Sequence, residues 1–302
     1  MQEGPLERVR RSVLFMPGSS WRILEKGGST GADAAILDLE DAVAPEKKGE
    51  ARNLVARALR TVVFGATERI VRINLLDGPY GRDDLVMAME GHPEALLLPK
   101  VNSFQDVLRL EGLLLAEEKR LGLLPGKMRL MAMIETPSGV LAARDIACSS
   151  SRLEALVFGH ADLAAELGIR PGRAGEGVIQ EARALISLAA SAAGVQAIDA
   201  VFLDLEDLEG LRKEAEAAAM MGYSGKLCIH PRQIAPIHEA FTPTEEEVSQ
   251  AQQVLAAFKE ARKKGQGVLV LEGKMVDEPI VKQASRVLAR ARRAGLLSAF
   301  EK

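Results

Sequence analysis

The sequence predicts an α/β fold, a (β/α)8 TIM barrel with a C-terminal helical extension. Three observations predict it. Eight short apolar runs recur along the 302 residues, each ending on a polar or charged residue. The runs are rich in Val, Ile, Leu, Ala and Met with little polar alternation, as expected of parallel strands covered on both faces. Stretches of helical periodicity separate them at roughly 22 to 45 residues, the range of βα units with some enlarged loops. In such a barrel the active site lies at the carboxyl ends of the strands, so the residues closing each run are the first candidates for chemistry.

Taken in order, the runs are RSVLFMPG from Arg11, AAILDLED from Ala34, ERIVRIN from Glu68 and EALLLPK from Glu94. RLMAMIE from Arg129, EALVFGHAD from Glu154, AVFLDLED from Ala200 and GKLCIHP from Gly225 complete the set. Between them, Ala51, Leu54, Val55, Ala58 and Leu59 fall on one helical face, and Pro45 with Glu46 suits a first helical turn. Val107, Leu110 and Leu114 repeat the pattern behind Ser103, whose spacing to Asp106 resembles a capping box. Thr136 and Pro137 directly follow Glu135, as where a strand passes straight into a capped helix. The longest connector holds GIRPGRAGEG, Gly168 to Gly177, a candidate active-site loop. A Rossmann domain is the competing fold and is rejected, because no G-x-G-x-x-G joins a strand to a helix.

After His230 the βα rhythm stops. Thr244 to Glu247 resembles another capping box, opening a helix with Val248, Ala251, Leu255 and Phe258 on one face. A short apolar run from Val268 to Leu271 precedes GKMVDEP and a final helix near Pro279. The expected division is a catalytic barrel over 1–240 and an extension over 241–302. An extension of that size is too small to bury a core comfortably, so it is expected to pack on the barrel or on a neighbouring subunit.

Bulk properties narrow the function. Net charge is −3, which argues against a general nucleic-acid binder. No apolar stretch approaches the roughly 18 residues of a membrane span, and MQEGPLERVRR lacks the apolar core of a secretory signal. A cytoplasmic protein is expected. Cys148 and Cys228 make no disulfide framework and sit in apolar segments, so buried free thiols are expected.

Glu135 and Asp162 close consecutive predicted strands, which would set two carboxylates side by side at the barrel mouth. Two carboxylates with free positions for water and substrate oxygens suit Mg2+. The alternative is that they cap the helices that follow. The four histidines, His92, His160, His230 and His238, form no H-x-x-x-H pair, and C-x-x-C is absent, which argues against zinc. Arg72 ends an apolar strand, IVRIN, where it could bind a carboxylate or an oxyanion. Its other reading is an ion pair to Asp38 or Glu40. Lys100 occupies a strand end, but nothing specifies an imine, and a charge-balancing role is favoured. The pentapeptide LDLED occurs at Leu37–Asp41 and Leu203–Asp207 without flanks that support a repeat. His230 is read as shaping a strand–loop junction, and His160 as a loop histidine rather than an acid or base.

At these residues the chain resembles the citrate lyase beta-subunit-like proteins of the HpcH/HpaI aldolase family. The matching pieces are SVLFMPG, ILDLEDAV with KKGEAR, VRIN, LLLPKV, MIET, VFGHADL, GVQAID, MGYSGKLCIHPRQI and GKMVDEP. They run in order from Arg11 to the segment beginning at Lys274, nearly the whole chain. The resemblance implies a Mg2+-dependent carbon–carbon lyase acting on a β-hydroxyacyl-CoA such as malyl-, citramalyl- or citryl-CoA. It implies Glu135 and Asp162 as metal ligands, and Arg72 as a catalytic and substrate-binding residue. Phe15, Arg22 and Lys26 fall where relatives contact the CoA or acyl chain, although a tyrosine and lysines are also found there. Ile229 and His230 lie in a segment that contacts the thioester ligand. Asp277 matches a catalytic aspartate that, in such proteins, reaches the site of an adjacent subunit.

The resemblance also sets the partners expected: an acyl-CoA thioester and further copies of the chain, as a homotrimer or hexamer. The rival is the catalytic subunit of a citrate lyase complex, with citrate lyase alpha and acyl-carrier subunits as partners. Malyl-CoA thioesterase or malate synthase activity on the same scaffold, and a non-catalytic binding subunit, are the other readings. No nucleic-acid or membrane partner is expected.

Overall fold

A computed structural model describes residues 5–169 and 176–297. Contacts divide the chain into two compact units. Among the described residues one is Arg10–His238 and the other joins residues 5–9 with residues 239–297.

The first unit is a closed barrel of eight parallel strands in sequence order. They are β1 (Ser12–Pro17), β2 (Ala34–Asp38), β3 (Glu68–Arg72) and β4 (Ala95–Leu98), then β5 (Arg129–Ile134), β6 (Leu153–Phe158), β7 (Gln196–Asp199) and β8 (Gly225–Cys228). Closure comes from β1 lying beside β8, with Val13 opposite Leu227 and Leu14 opposite Cys228. The helices of this unit are α1 (Trp21–Leu24), α2 (Lys48–Thr61), α3 (Gly81–Gly91), α4 (Phe104–Leu121) and α5 (Pro137–Leu141). They continue as α6 (Ala143–Ala147), α7 (His160–Glu166), α8 (Glu176–Ala193), α9 (Leu208–Met220) and α10 (Ile234–Phe241), which runs past the unit boundary.

The period of two along a strand decides what fills the barrel. Val13, Ala34, Ile36, Ile70, Met131, Met133, Val157 and Leu227 belong to the interior cluster. The same parity carried onward puts Asp38, Arg72 and Glu135 on the inward face at the carboxyl ends, where Asp38 and Arg72 are register partners. At the amino ends the buried Arg10 guanidinium donates to Glu68 at 2.6 Å, Glu154 at 2.7 Å and Gln196 at 3.0 Å. These are groups on β3, β6 and β7, so one cation ties the floor of the barrel together. Outward parity on β7 and β8 gives a second buried set: Asp199 accepts from Arg183 at 2.6 Å and from Lys226 at 2.7 Å.

Local signals explain the helix starts. Ser103 and Asp106 form a reciprocal capping box on α4. Thr136 accepts from the Gly139 amide at 3.0 Å and caps α5. Pro45–Lys47 forms a 3-10 turn leading into α2, which buries Ala51, Val55, Ala58 and Leu59.

Three expectations need correction or placement. The seventh strand is QAID, not AVFLDLED: Gln196–Ile198 pair with β6, while Leu203 and Leu205 lie in an exposed loop beyond the strand. An apolar run is ambiguous between a strand and the segment just past it, and only pairing decides. Cys228 is buried as expected, but Cys148 is exposed at the C-terminus of α6. The Gly168–Gly177 loop falls largely on residues 170–175, which lie outside the described residues.

The second unit holds α11 (Glu245–Lys263), the antiparallel hairpin of β9 (Leu269–Leu271) and β10 (Lys274–Val276), and α12 (Glu278–Arg293). Thr244 and Glu247 make the capping box that opens α11. The hairpin turns at Glu272 and Gly273, both at positive φ, as a two-residue loop between twisted strands requires. Ala251, Val254, Phe258, Val276 and Ala284 form an apolar cluster of its own. Among the described residues no helix is long and apolar enough to cross a membrane.

Candidate active site

Glu135 follows directly on β5 and is fully buried. Its Oε1 accepts the backbone N–H of Lys100 at 2.7 Å. Its Oε2 is buried and has no hydrogen-bond partner. Burial raises the pKa to about 7; the Lys100 N–H opposes this, and the charge on Asp162 adds to it. Thr136 rather than Glu135 caps the following helix, so the capping explanation of Glu135 is not met. Asp162, half-buried, lies in the first turn of α7 and lines a cavity of about 370 Å3 at the barrel mouth.

An unpartnered carboxylate oxygen influenced by a second carboxylate is a donor set for a hard cation. Among the described residues no three or more His, Cys, Asp or Glu side chains converge to hold a metal. A cation on Glu135 and Asp162 would therefore keep positions for water or a ligand's oxygens. Gly159, between β6 and α7, makes room: a Cβ there would lie 2.6 Å from Glu135 Oε2 and 3.0 Å from Met133.

Arg72 stands at the same carboxyl-end mouth. It binds Asp38 in bidentate fashion, Nε to Oδ1 at 2.7 Å and Nη2 to Oδ2 at 2.6 Å. Its Nη1 reaches Glu40 Oε2 at 2.9 Å, and the guanidinium carbon lies 4.7 Å from the Phe15 ring centroid. The ion-pair reading of Arg72 is therefore observed. Asp38 also accepts the amides of Glu40 at 2.9 Å and Ala42 at 3.2 Å, so both carboxylates are held by the loop after β2. Lys48 secures that loop, donating to the Leu39 and Glu40 carbonyls and to Asn74. The guanidinium is held by Asp38 and Glu40, and Arg72 lines the cavity.

Lys100 sits at φ +50° just after β4. A non-glycine residue held in this region costs of order 1 kcal/mol, so the surroundings must stabilise it. Its Nζ lies 2.6 Å from Glu40 and 3.3 Å from Asp41. Burial works against the charge, but Glu40 and Asp41 more than offset it and raise the ammonium pKa.

Of the residues nominated from sequence, Phe15, Arg72, Asp162 and Ile229 line the cavity, with Glu135 behind Gly159. Arg22 and Lys26 are exposed on the segment after β1 and do not line it. His230 caps a short turn, its Nδ1 accepting the Arg232 amide at 3.1 Å. Asp277 belongs to the second unit and caps α12, with Oδ1 3.4 Å from the Ile280 amide. Asp38, Glu40 and Lys100 form the ion network around Arg72, as the ion-pair reading of Arg72 and the charge-balancing reading of Lys100 expect. In the second LDLED box, Asp204 accepts nearby amides and Asp207 caps α9. His160 lines the cavity with a buried, unpartnered Nδ1, and burial lowers its pKa.

Comparison with known proteins follows this geometry. Residues 11–231 match the model of the HpcH/HpaI aldolase/citrate lyase family. The citrate lyase subunit beta of Escherichia coli is 40% identical over 290 residues, 96% of this chain and 95% of that one. A (3S)-malyl-CoA thioesterase of Cereibacter sphaeroides is 42% identical over 283 residues, 93% of this chain and 94% of that one. Among solved structures, protein CitE from Mycobacterium tuberculosis in complex with magnesium, acetoacetate and coenzyme A has a TM-score of 0.77 and 32% identity. The match covers 95% of this chain and 99% of that one.

Proposed function

This chain belongs to the HpcH/HpaI aldolase/citrate lyase family, and from that premise we propose that it is a Mg2+-dependent carbon–carbon lyase cleaving a β-hydroxyacyl-CoA to acetyl-CoA and an oxo acid. The observation that carries the reading is the buried, unpartnered Oε2 of Glu135, set behind Gly159 and under the influence of Asp162, which with Arg72 lines the adjoining cavity. The relative solved with magnesium, acetoacetate and coenzyme A supports the metal and the ligand class.

In the reaction the substrate hydroxyl loses its proton and becomes the carbonyl of the oxo acid. The electrons of the broken carbon–carbon bond pass to the thioester, giving an enolate that is protonated to acetyl-CoA. Glu135 and Asp162 would hold the Mg2+, which when bound supplies Lewis-acid stabilisation of the oxo-acid oxygens. Arg72, locked by Asp38 and Glu40, presents fixed N–H donors to developing oxygen charge without reorganising. Asp277 is our assignment for the proton that the enolate carbon takes up, on the strength of the GKMVDEP match. Phe15 and Ile229 supply apolar wall to the cavity.

The test is a panel of malyl-, citramalyl- and citryl-CoA offered to purified protein with Mg2+, with products read by mass spectrometry. Acetyl-CoA with an oxo acid is the expected result. Free CoA with the intact hydroxy acid would replace the lyase reading by a thioesterase, as the Cereibacter relative suggests. Inactivity on all three with turnover of citryl-acyl carrier protein would move the chain to the beta subunit of a citrate lyase complex.

A further inference from the structure

We infer that Lys100 is a positioning residue that couples the two halves of the site, the Glu135 carboxylate and the Arg72 guanidinium. The inference rests on the assignment of Glu135 as a metal ligand.

Its observations are geometric. The main chain of Lys100 donates to Glu135 Oε1 at 2.7 Å, leaving Oε2 as the free oxygen. The next amide, Val101, donates to the Met133 carbonyl at 3.1 Å, so two successive N–H groups are spent on β5 and on the residue that follows it. Between them the chain bends through φ +50°. A lysine has no intrinsic reason to hold that conformation. Asn102 Nδ2 donates to the Lys100 carbonyl at 3.2 Å, and the far end of the side chain is tied as well, Nζ donating to Glu40 Oε1 at 2.6 Å. The other oxygen of Glu40 meets Arg72 Nη1 at 2.9 Å. The result is one continuous path: Glu135, the Lys100 backbone, the Lys100 ammonium, Glu40, Arg72 and Asp38. Its members come from the ends of β2, β3, β4 and β5, so no single strand sets the site. The ammonium anchors the bend, the bend aims the amide, and the amide selects which oxygen of Glu135 stays open.

This predicts a difference between two variants that both lose the charge. Lys100→Met keeps the stem but leaves the left-handed bend unsupported. Lys100→Gly removes the same charge but adopts the bend freely. Mn2+ titrated into the full-length protein and read by electron paramagnetic resonance serves as the probe. Loss of a group orienting a ligand typically costs about 10–100-fold in metal affinity, so Lys100→Met is expected in that range and Lys100→Gly within about threefold of wild type. Both are checked for an intact fold by circular dichroism. Should Lys100→Met not fold, Glu40→Gln carries the same test, because it removes the charge from the acceptor that holds the ammonium at 2.6 Å. Wild-type Mn2+ affinity in folded Lys100→Met, or in its replacement Glu40→Gln, overturns the coupling, provided Glu135→Gln binds Mn2+ poorly.

If Glu135→Gln binds Mn2+ like wild type, the metal assignment fails instead. The coupling is then decided by amide hydrogen exchange over residues 96–102 in metal-free protein. Exchange at residue 100 at least about tenfold faster in Lys100→Met than in Lys100→Gly supports it, and equal exchange in the two variants overturns it.

Discussion

Oε2 of Glu135 faces the bare α-carbon of Gly159, where a Cβ would lie only 2.6 Å away. Gly159 has φ −110°, a value open to any residue, so space and not backbone freedom calls for glycine there. Gly159→Ala is therefore expected to close the free oxygen of Glu135 and weaken Mg2+ binding by at least about tenfold. Isothermal titration with Mg2+ checks it, and unchanged affinity would sink the claim that this oxygen is the open one.

The raised pKa of Glu135, about 7 against an ordinary 4.5, contributes its own pH dependence to the stability of the metal-free protein. Between these values the folded state holds a proton that the unfolded chain has released. Stability is thus lost as pH rises from about 4.5 through 7, by about 3 kcal/mol from this one group. Urea unfolding in a chelator at pH 5 and pH 8 should show the loss in wild type and a flatter dependence in Glu135→Gln. Added Mg2+ should restore stability on the alkaline side of wild type.

Asp38 and Arg72 are a buried bidentate pair, and removing the Asp38 charge leaves the guanidinium with Glu40 alone at close range. Asp38→Asn is expected to destabilise the protein by about 3 kcal/mol. It should also lower kcat/KM by about 100-fold, because Arg72 loses its fixed aim. Thermal unfolding and steady-state kinetics on the same preparation separate the two effects; full activity would show that Arg72 needs no such positioning.

Asp277→Asn tests the proton-transfer assignment. Substrate affinity should stay within about threefold of wild type, while turnover falls by about 100-fold or more. Equal turnover in wild type and variant would leave Asp277 as nothing more than the cap of α12.

A control lies at the far side of the barrel wall. Glu118 is fully buried against Arg152, with both oxygens at 2.7 Å, and the pair holds its pKa near 2. Its stabilisation is present above about pH 4.5 and is lost as pH falls toward 2. Glu118→Gln should cost about 3–5 kcal/mol and leave KM unchanged, measured by denaturant unfolding beside the kinetics.

Much of the barrel was readable in advance, because strands buried on both faces leave unbroken apolar runs and the parity of each run names its inward residues. Arg72 and Glu135 were read as strand ends and stand there; Asp162 was read the same way but lies in the first turn of α7, beyond the end of β6 at Phe158. The two LDLED boxes defeated it, since identical residues have different fates: β2 runs through Asp38, whereas β7 ends at Asp199 before the second box begins. Only register separates them. Lys100 and Gly159 were opaque for another reason. A backbone amide aimed at a carboxylate, and an absent Cβ in front of an oxygen, leave no trace in residue type.

Closure of β1 on β8, with Ser12 opposite Lys226, has a consequence for synthesis. A ribosome delivers Arg72, Glu135 and Asp162 long before it delivers the strand that seals the ring. Until that strand arrives, β1 offers an open edge, and nascent chains are vulnerable to pairing with one another. Lesions at the amino end of β8, before Leu227 and Ile229 reach the cavity, should therefore show first as poor yield of soluble protein.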